Sequence, residues 1–428
     1  MENRIVIMGA GLSGLALAYN LESCKKDYAL LEAKNKAGGL CASYKIKDFT
    51  FDYGGHLLHL NAKRGLKMAQ KLLGKNILLH KRRAFVHIYG RDLAFPFQNN
   101  LYGLDEKIVS ECVNEALKAY KEKDKADTAL FKNWALALYG KGICKHFMFP
   151  YNQKLWQTDL GKLTSDWCGK FVPASTLEDI IKGAYAQRKK DFGYNAHFFY
   201  PKTGGSQALV DALLKKARVK YKAAVTAVDL KNKTIAAGGK TYGYDKLVST
   251  LPLPLLGCAL KDLPANIKKD FAALKHNSVY VLNIAATGKT KDGHWYYFPE
   301  DKYPFFRVGV QSSFAKDLAI GGSSSFYVEF AAAPGQKPDF EVWQKTALAQ
   351  LKELGFIETG AKILVKNWVS IPQAYPIYDA KRKEAVENIA NYLRGQGVYL
   401  LGRYGAWEYS FMEKSLLDAA DLALEICQ

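Results

Sequence analysis

No stretch of the chain offers the roughly 20 uninterrupted apolar residues that a membrane-spanning helix needs, so stable membrane insertion is not expected. Cysteine is sparse. The seven cysteines, Cys24, Cys41, Cys112, Cys144, Cys168, Cys258 and Cys427, include no C-x-x-C pair, which argues against a disulfide framework of the small secreted type. Of the eight histidines only His56 and His59 stand at helical spacing, so no metal site is indicated. Acidic residues are few, 41 against 61 lysines and arginines, giving a net charge of +20. Such a surplus attracts acidic partners, whether nucleic acid, anionic lipid or sugar nucleotide. No nucleic-acid motif accompanies it, and runs such as residues 118–125 mix both signs as solvated helix faces do, so no nucleic-acid partner is expected. Internal repeats, low-complexity tracts and flexible linkers are absent too.

What is present begins at Ile5, where an apolar run leads directly into Gly9, Gly11 and Gly14 of a G-x-G-x-x-G turn. In such a turn the first glycine permits the bend, the second lets backbone approach a pyrophosphate, and the third lets helix pack on strand. The amides and positive dipole end of that helix then face the anion. Residues 28–32 supply a second strand ending in Glu32, about 20 residues on, where a ribose hydroxyl is bound in dinucleotide folds. Gly38 and Gly39 follow and allow another backbone segment near the same ligand. This succession resembles FAD-binding flavoenzymes more than NAD dehydrogenases. At 428 residues, 49% of them hydrophobic, the chain exceeds one ordinary core, and two intimately packed domains are expected. The glycine turn starts too near Met1 to leave space for a signal peptide, so a cytoplasmic location is expected.

Further along, Thr50-Phe-Asp-Tyr-Gly-Gly-His56 reads as a strand entering a loop that can set Gly55 and His56 beside a flavin ring. Residues 83–93 alternate like a hairpin with Gly90 at its turn and continue into Phe95-Pro-Phe-Gln-Asn-Asn100, whose aromatic faces and amides suit an unpaired pyrimidine. From residue 106 to 161 the pattern is helical. Val109, Val113, Ala116 and Leu117 form one apolar set and Phe131, Trp134, Leu138 and Tyr139 another. Residues 147–156 are dense in aromatics and suit a cleft wall. Segments 279–284, 294–299, 305–310 and 325–330 read as strands of one sheet, and residues 398–407 as a last buried strand entering a glycine loop. The fold class expected is α/β, a Rossmann-like FAD-binding domain with an inserted helical segment and an antiparallel substrate-domain sheet. Residues 1–80, 200–260 and 367–428 form the discontinuous FAD domain, and residues 81–199 and 261–366 the substrate-binding insertions.

Taken in order, F-D-Y-G-G-H (51–56), P-F-Q-N-N (96–100), F-x-x-P-Y-N-x-K-x-W in degenerate form (147–156), N-A-x-F (195–198), W-x-Y-F-P-E (295–300), P-F-x-R (304–307), A-Y-P (374–376) and G-R-Y-G-A-W-x-Y (402–409) resemble the eukaryotic-type UDP-galactopyranose mutases. The resemblance spans nearly the whole chain. It implies a non-redox mutase of cell-surface polysaccharide biosynthesis that interconverts pyranose and furanose forms of a UDP-sugar. Reduced FAD acts there through N5 as nucleophile, with NAD(P)H as a candidate reductant. By the resemblance Phe97 and Gln98 hold the uracil, Tyr297, Arg307, Tyr375 and Tyr409 the diphosphate, and Asn195 the nucleotide or sugar. His56 and Arg403 contact the FAD, and His56 and Arg307 carry the catalytic roles. The family also has a second diphosphate arginine in Gly-Glu-Arg-Val. Here the stretch is Gly169-Lys-Phe-Val172, leaving either Lys170 as a displaced substitute or no counterpart. Glu408 likewise stands where the family has arginine. The competing expectations are a flavin oxidase or desaturase of the amine or protoporphyrinogen oxidase type, and a non-catalytic flavoprotein that binds through its basic surface.

Overall fold

The computed structural model describes residues 4–188, 192–193 and 195–428. Its organising layer is a parallel sheet of five strands in the order Val398–Leu400, Lys246–Ser249, Ile5–Met8, Tyr28–Leu31, Val219–Lys220. Ile5–Met8 lies at its centre and is buried at every position. Because strand side chains alternate between faces, Ile5 and Ile7 enter one core with helices Leu12–Ser23 and Met412–Cys427, whereas Val6 and Met8 enter another. The second core is closed by helix Arg382–Gly395 and by the antiparallel strands Val225–Asp229, Thr234–Ala237 and Lys240–Gly243.

A second sheet has seven strands, ordered Ile363–Ile371, Ser278–Thr287, Ser323–Ala332, Arg307–Val310, Trp295–Tyr297, Ala84–Ile88, Arg91–Ala94. The hairpin expected at Gly90 is the last pair, with Tyr89 and Gly90 both at positive φ (52° and 72°) as a tight hairpin turn requires. The sheet is antiparallel with one exception: Trp295–Tyr297 runs parallel to Ala84–Ile88. Those strands come from separate insertions, and no hairpin constrains their direction. The boundary expected between 366 and 367 falls inside strand Ile363–Ile371. Helix Ala265–Ala273, expected in the insertion, instead buries Ile267 and Phe271 in the core shared with Val6 and Met8.

Helices Glu106–Glu122 and Phe131–Ile143 pack together in the helical insertion, followed by Phe149–Trp156, Cys168–Phe171 and Leu177–Tyr185. The buried stripe of the second helix is Phe131, Ala135 and Tyr139, spaced by four residues. Leu138, expected within it, is 41% exposed, because one residue's step turns it about 100° from Tyr139. Cys24 and Cys427 form a single disulfide across a separation of 403 residues, a pairing that local spacing does not reveal. It joins the ends of the two helices that pack on the Ile5–Ile7 face. Among the described residues no helix is long and apolar enough to cross a membrane, and no group of three or more His, Cys, Asp or Glu could hold a metal ion.

Candidate flavin and substrate site

The glycine turns meet in space. Gly11 bridges Gly38, and the Gly38 amide donates to the Ala10 carbonyl at 2.8 Å. A Cβ on Gly14 would stand 2.0 Å from the Gly9 carbonyl oxygen, so that glycine is required for the helix to reach its strand. Gly11 differs: the nearest atom to a Cβ there is 3.9 Å away, and the turn borders open space. Helix Leu12–Ser23 begins at this point with no side-chain cap and no acid in its first turn, leaving its amides for an anion. Glu32 is held beside the turn by accepting from the Ala10 amide at 2.9 Å.

One cavity is lined by Gly9, Gly11, Glu32, Gly38 and Gly39 together with Gly55, His56 and Arg403. The same cavity includes Gln98, Asn195, Tyr297, Arg307, Tyr375 and Tyr409, so the fold brings fourteen of the seventeen expected site residues to one space. Gly14, Phe97 and Lys170 are not on its wall. Phe97 is fully buried and stacks on Phe147 at 5.3 Å. In the single tight turn Phe97–Asn99, neighbouring side chains diverge by about 120°, so Gln98 faces the cavity when Phe97 faces the core. Phe95 offers the aromatic face instead, 4.8 Å from Tyr297. Lys170 is exposed, and its neighbour Phe171 lines the cavity, stacked on Tyr409 with centroids 3.9 Å apart. Glu408 also lies off the wall, with the Lys414 ammonium 3.0 Å from its carboxylate.

The polar floor comes from register in the seven-stranded sheet. Tyr297, Arg307 and Glu329 are direct partners across three adjacent strands, and so lie in one row on one face. Two positions along, Trp295, Gly309 and Tyr327 form the next row. A Cβ on Gly309 would stand 1.9 Å from Tyr327, so the glycine makes room for that ring to lie over the sheet. Arg307 grips Glu329 with two donors, Nε and Nη2, the latter at 2.9 Å. Despite burial, the carboxylate raises the arginine well above its ordinary range, so Arg307 is a permanent cation. Burial likewise raises Tyr151, Tyr297 and Tyr327, whose hydroxyls stay protonated and able to donate. His56 is driven down to about 4 by burial, then by the positive charges of Arg403 and Arg307, and its Nδ1 has no partner. It is neutral at pH 7. The Arg403 guanidinium donates to the carbonyls of Ser410 (3.0 Å) and Ala374 (2.9 Å), with Nε left unpartnered, and lies 5.1 Å from the rings of both Tyr375 and Tyr409.

At the amide segment, Gln98 donates through Nε2 to Pro173 O at 3.1 Å, while its Oε1, also buried, has no partner. Asn195 accepts from Arg82, which also donates to Phe192 O at 2.9 Å and lies over the Phe95 ring at 4.9 Å. Sequence reading missed Glu329, Phe171, Tyr327 and Arg82. For Glu329 a signal existed: a lone acid within the apolar run Phe-Tyr-Val-Glu-Phe (326–330) needs a buried cation as partner. Phe171 was within reach too, as the residue standing in register with the missing arginine.

These residues fit a flavin dinucleotide. The open space beside Gly11, the uncapped helix, Glu32 at the adjoining strand end and the unpartnered atoms of His56 and Arg403 line one connected cavity. In sequence, residues 12–426 match the flavin containing amine oxidoreductases. A curated UDP-galactopyranose mutase of Mycoplasma pneumoniae is 23% identical over 205 residues, 42% of this chain and half the length of that relative. A crystal structure of reduced UDP-galactopyranose mutase superposes with a TM-score of 0.93 at 25% identity, covering 99% of this chain and 95% of the other. A putative protoporphyrinogen oxidase from Exiguobacterium gives 0.75 at 16% identity, covering 100% and 99%, a likeness of fold alone. With the cradle and the family in agreement, the cofactor is FAD. The chain belongs to the flavin containing amine oxidoreductase family.

Proposed function

We propose that this flavoprotein is a mutase interconverting the pyranose and furanose forms of a UDP-sugar, UDP-galactose-like in class. The observation that carries the reading is the row Tyr297, Arg307 and Glu329 with Gln98 and Asn195 in the same cavity as the flavin cradle. A fixed cation among neutral tyrosine hydroxyls suits an oxyanionic diphosphate, because ionised acceptors strengthen each hydrogen bond. The unpartnered Gln98 Oε1 suits the imide N–H of uracil, and the Phe95 face suits the base above it. An amine or a hydrocarbon-like substrate uses neither group.

Bound and reduced, FAD supplies the nucleophile for the sugar's anomeric carbon, and the leaving group is UDP. The chain's own part is to position and to neutralise. Arg307, with the hydroxyls of Tyr297, Tyr375 and Tyr409, stabilises charge that grows on the departing phosphate. His56, neutral and with Nδ1 open, can accept a hydrogen bond near the flavin without adding charge. Arg403 fixes the 374 and 410 segments and keeps a positive charge beside the cofactor.

The test compares redox states under anaerobic conditions. Dithionite-reduced protein should interconvert a UDP-hexose with no net flavin oxidation, and the oxidised protein should be inert. A flavin oxidase behaves in the opposite way: its oxidised flavin bleaches on adding an amine or other reducing substrate, and no UDP-sugar binds in either state.

A further inference from the structure

Phe171 is the residue whose position the function leaves unexplained. Its ring lines the cavity, stacked on Tyr409 at 3.9 Å and 24°, and Tyr409 is in turn edge-on to Tyr375 at 5.2 Å and Trp156 at 6.2 Å. Arg307 and Arg403 are the arginines among the cavity's described lining residues, and no lysine joins them. Glu329 already balances Arg307, and two Arg403 nitrogens are engaged by backbone carbonyls. Lys170, next in sequence to Phe171, is exposed and off the wall. A diphosphate entering here therefore finds hydroxyl donors and the carboxylate-compensated Arg307 on one side, and on the other an aromatic stack whose nearby cation, Arg403, lies 5.1 Å from the Tyr375 and Tyr409 rings with two nitrogens committed to backbone carbonyls.

We infer that Phe171 determines the site's ligand specificity: it makes the protein hold a uridine nucleotide by its base and ring faces, with little selection for the second phosphate. The inference rests on the UDP-sugar reading and names which part of the nucleotide supplies the binding. Its physical basis is that phosphate recognition by cations is strong and salt-dependent, whereas stacking is neither charge-selective nor screened.

The experiment is calorimetric titration of UMP and UDP into the FAD-loaded protein at low and at high salt, for wild type, Phe171→Arg and Phe171→Lys. In the wild type UDP should bind less than about tenfold tighter than UMP, with a shallow salt dependence of both. Phe171→Arg should raise UDP affinity about tenfold or more, raise UMP affinity less, and steepen the salt dependence, because a guanidinium fork matches phosphate. Phe171→Lys should fall between, having a point charge without the fork. Retained yellow colour and an unchanged melting temperature certify each variant's fold, and if Phe171→Arg loses flavin the lysine variant and the wild-type comparison carry the test. A wild-type preference of tenfold or more for UDP, or folded variants with unchanged UDP affinity, overturns the inference and leaves the mutase reading standing. Failure of every form to bind either nucleotide overturns the mutase reading itself.

Discussion

Arg307 and Glu329 are register partners on neighbouring antiparallel strands, and two guanidinium nitrogens of the one donate to the carboxylate of the other. The pair offsets the Arg307 charge and fixes the guanidinium through Nε and Nη2. Removing one member leaves an uncompensated charge against a buried floor. Breaking such pairs costs about 3–5 kcal/mol, and the 20% exposure of the Arg307 side chain places the expected loss near the low end. Glu329→Ala and Arg307→Ala should each destabilise by about 3 kcal/mol in urea unfolding, and the double variant by clearly less than the sum. Additive losses would show that the two side chains are not coupled.

The glycines of the first turn separate two roles that the motif alone confounds. A Cβ at Gly14 meets the Gly9 carbonyl at 2.0 Å, whereas one at Gly11 meets no protein atom within 3.8 Å, its nearest being at 3.9 Å. Gly11→Val should therefore fold and purify colourless, because the side chain fills space meant for the pyrophosphate. Gly14→Val should fail to accumulate as folded protein. A yellow Gly11→Val protein with full flavin occupancy would show that the pyrophosphate lies elsewhere.

The difference between what was legible in the sequence and what was not follows sequence range. The dinucleotide cradle is local: Gly9, Gly11, Gly14 and Glu32 lie within one strand, turn, helix and strand, so spacing alone determines their geometry. The strands of the second sheet were legible as strands, but their order was not, since Ala84–Ile88 beside Trp295–Tyr297 joins segments about two hundred residues apart. Side-chain direction in short turns was the other blind point. Phe97 was placed on the site by motif position and Lys170 as a displaced substitute for the arginine, whereas the wall is given by Phe95, two residues before the one, and Phe171, one residue after the other. The Arg307–Glu329 pair depended on register between strands, which no hydrophobic pattern specifies to the residue.

Three desolvated histidines, one fully buried and two partly so, give the fold an acid limit. Burial is the leading cause in lowering His56 and His59 to about 4 and His294 to about 3, and half-buried His80 is lowered as well. A histidine kept neutral in the fold takes up its proton on unfolding, so its contribution is complete above about pH 6.5 and is lost as pH falls towards 4. Each such proton is worth about 1.4 kcal/mol per pH unit in that window. Asp52 works against them: burial raises its carboxyl, so acid relieves rather than adds to its cost. Unfolding by urea should show stability level from pH 8 to 7 and falling steeply from 6.5 to 4.5. His56→Asn should reduce that slope by about one proton. A flat profile, or no change on substitution, would mean that His56 is protonated in the fold.

Arg82 acts on the nucleotide end of the cavity without being on its wall. It donates to the Asn195 side chain and to Phe192 O at 2.9 Å, and its guanidinium lies 4.9 Å from the centre of the Phe95 ring. One planar group thus fixes an amide, a loop and an aromatic face that the proposed base and sugar would meet. Lysine cannot reproduce this, because it offers no fork and no flat surface for the ring. Arg82→Lys should keep full flavin content, since none of these contacts lies in the glycine cradle, and should weaken UDP binding by about 1–2 kcal/mol, roughly tenfold. The loss should appear equally for uridine, UMP and UDP, because it arises at the base and not at the phosphates. Calorimetry on the three ligands reads this directly. A loss confined to UDP would instead assign Arg82 to the phosphates, and an unchanged affinity for all three would show that Asn195 and Phe95 are positioned without it.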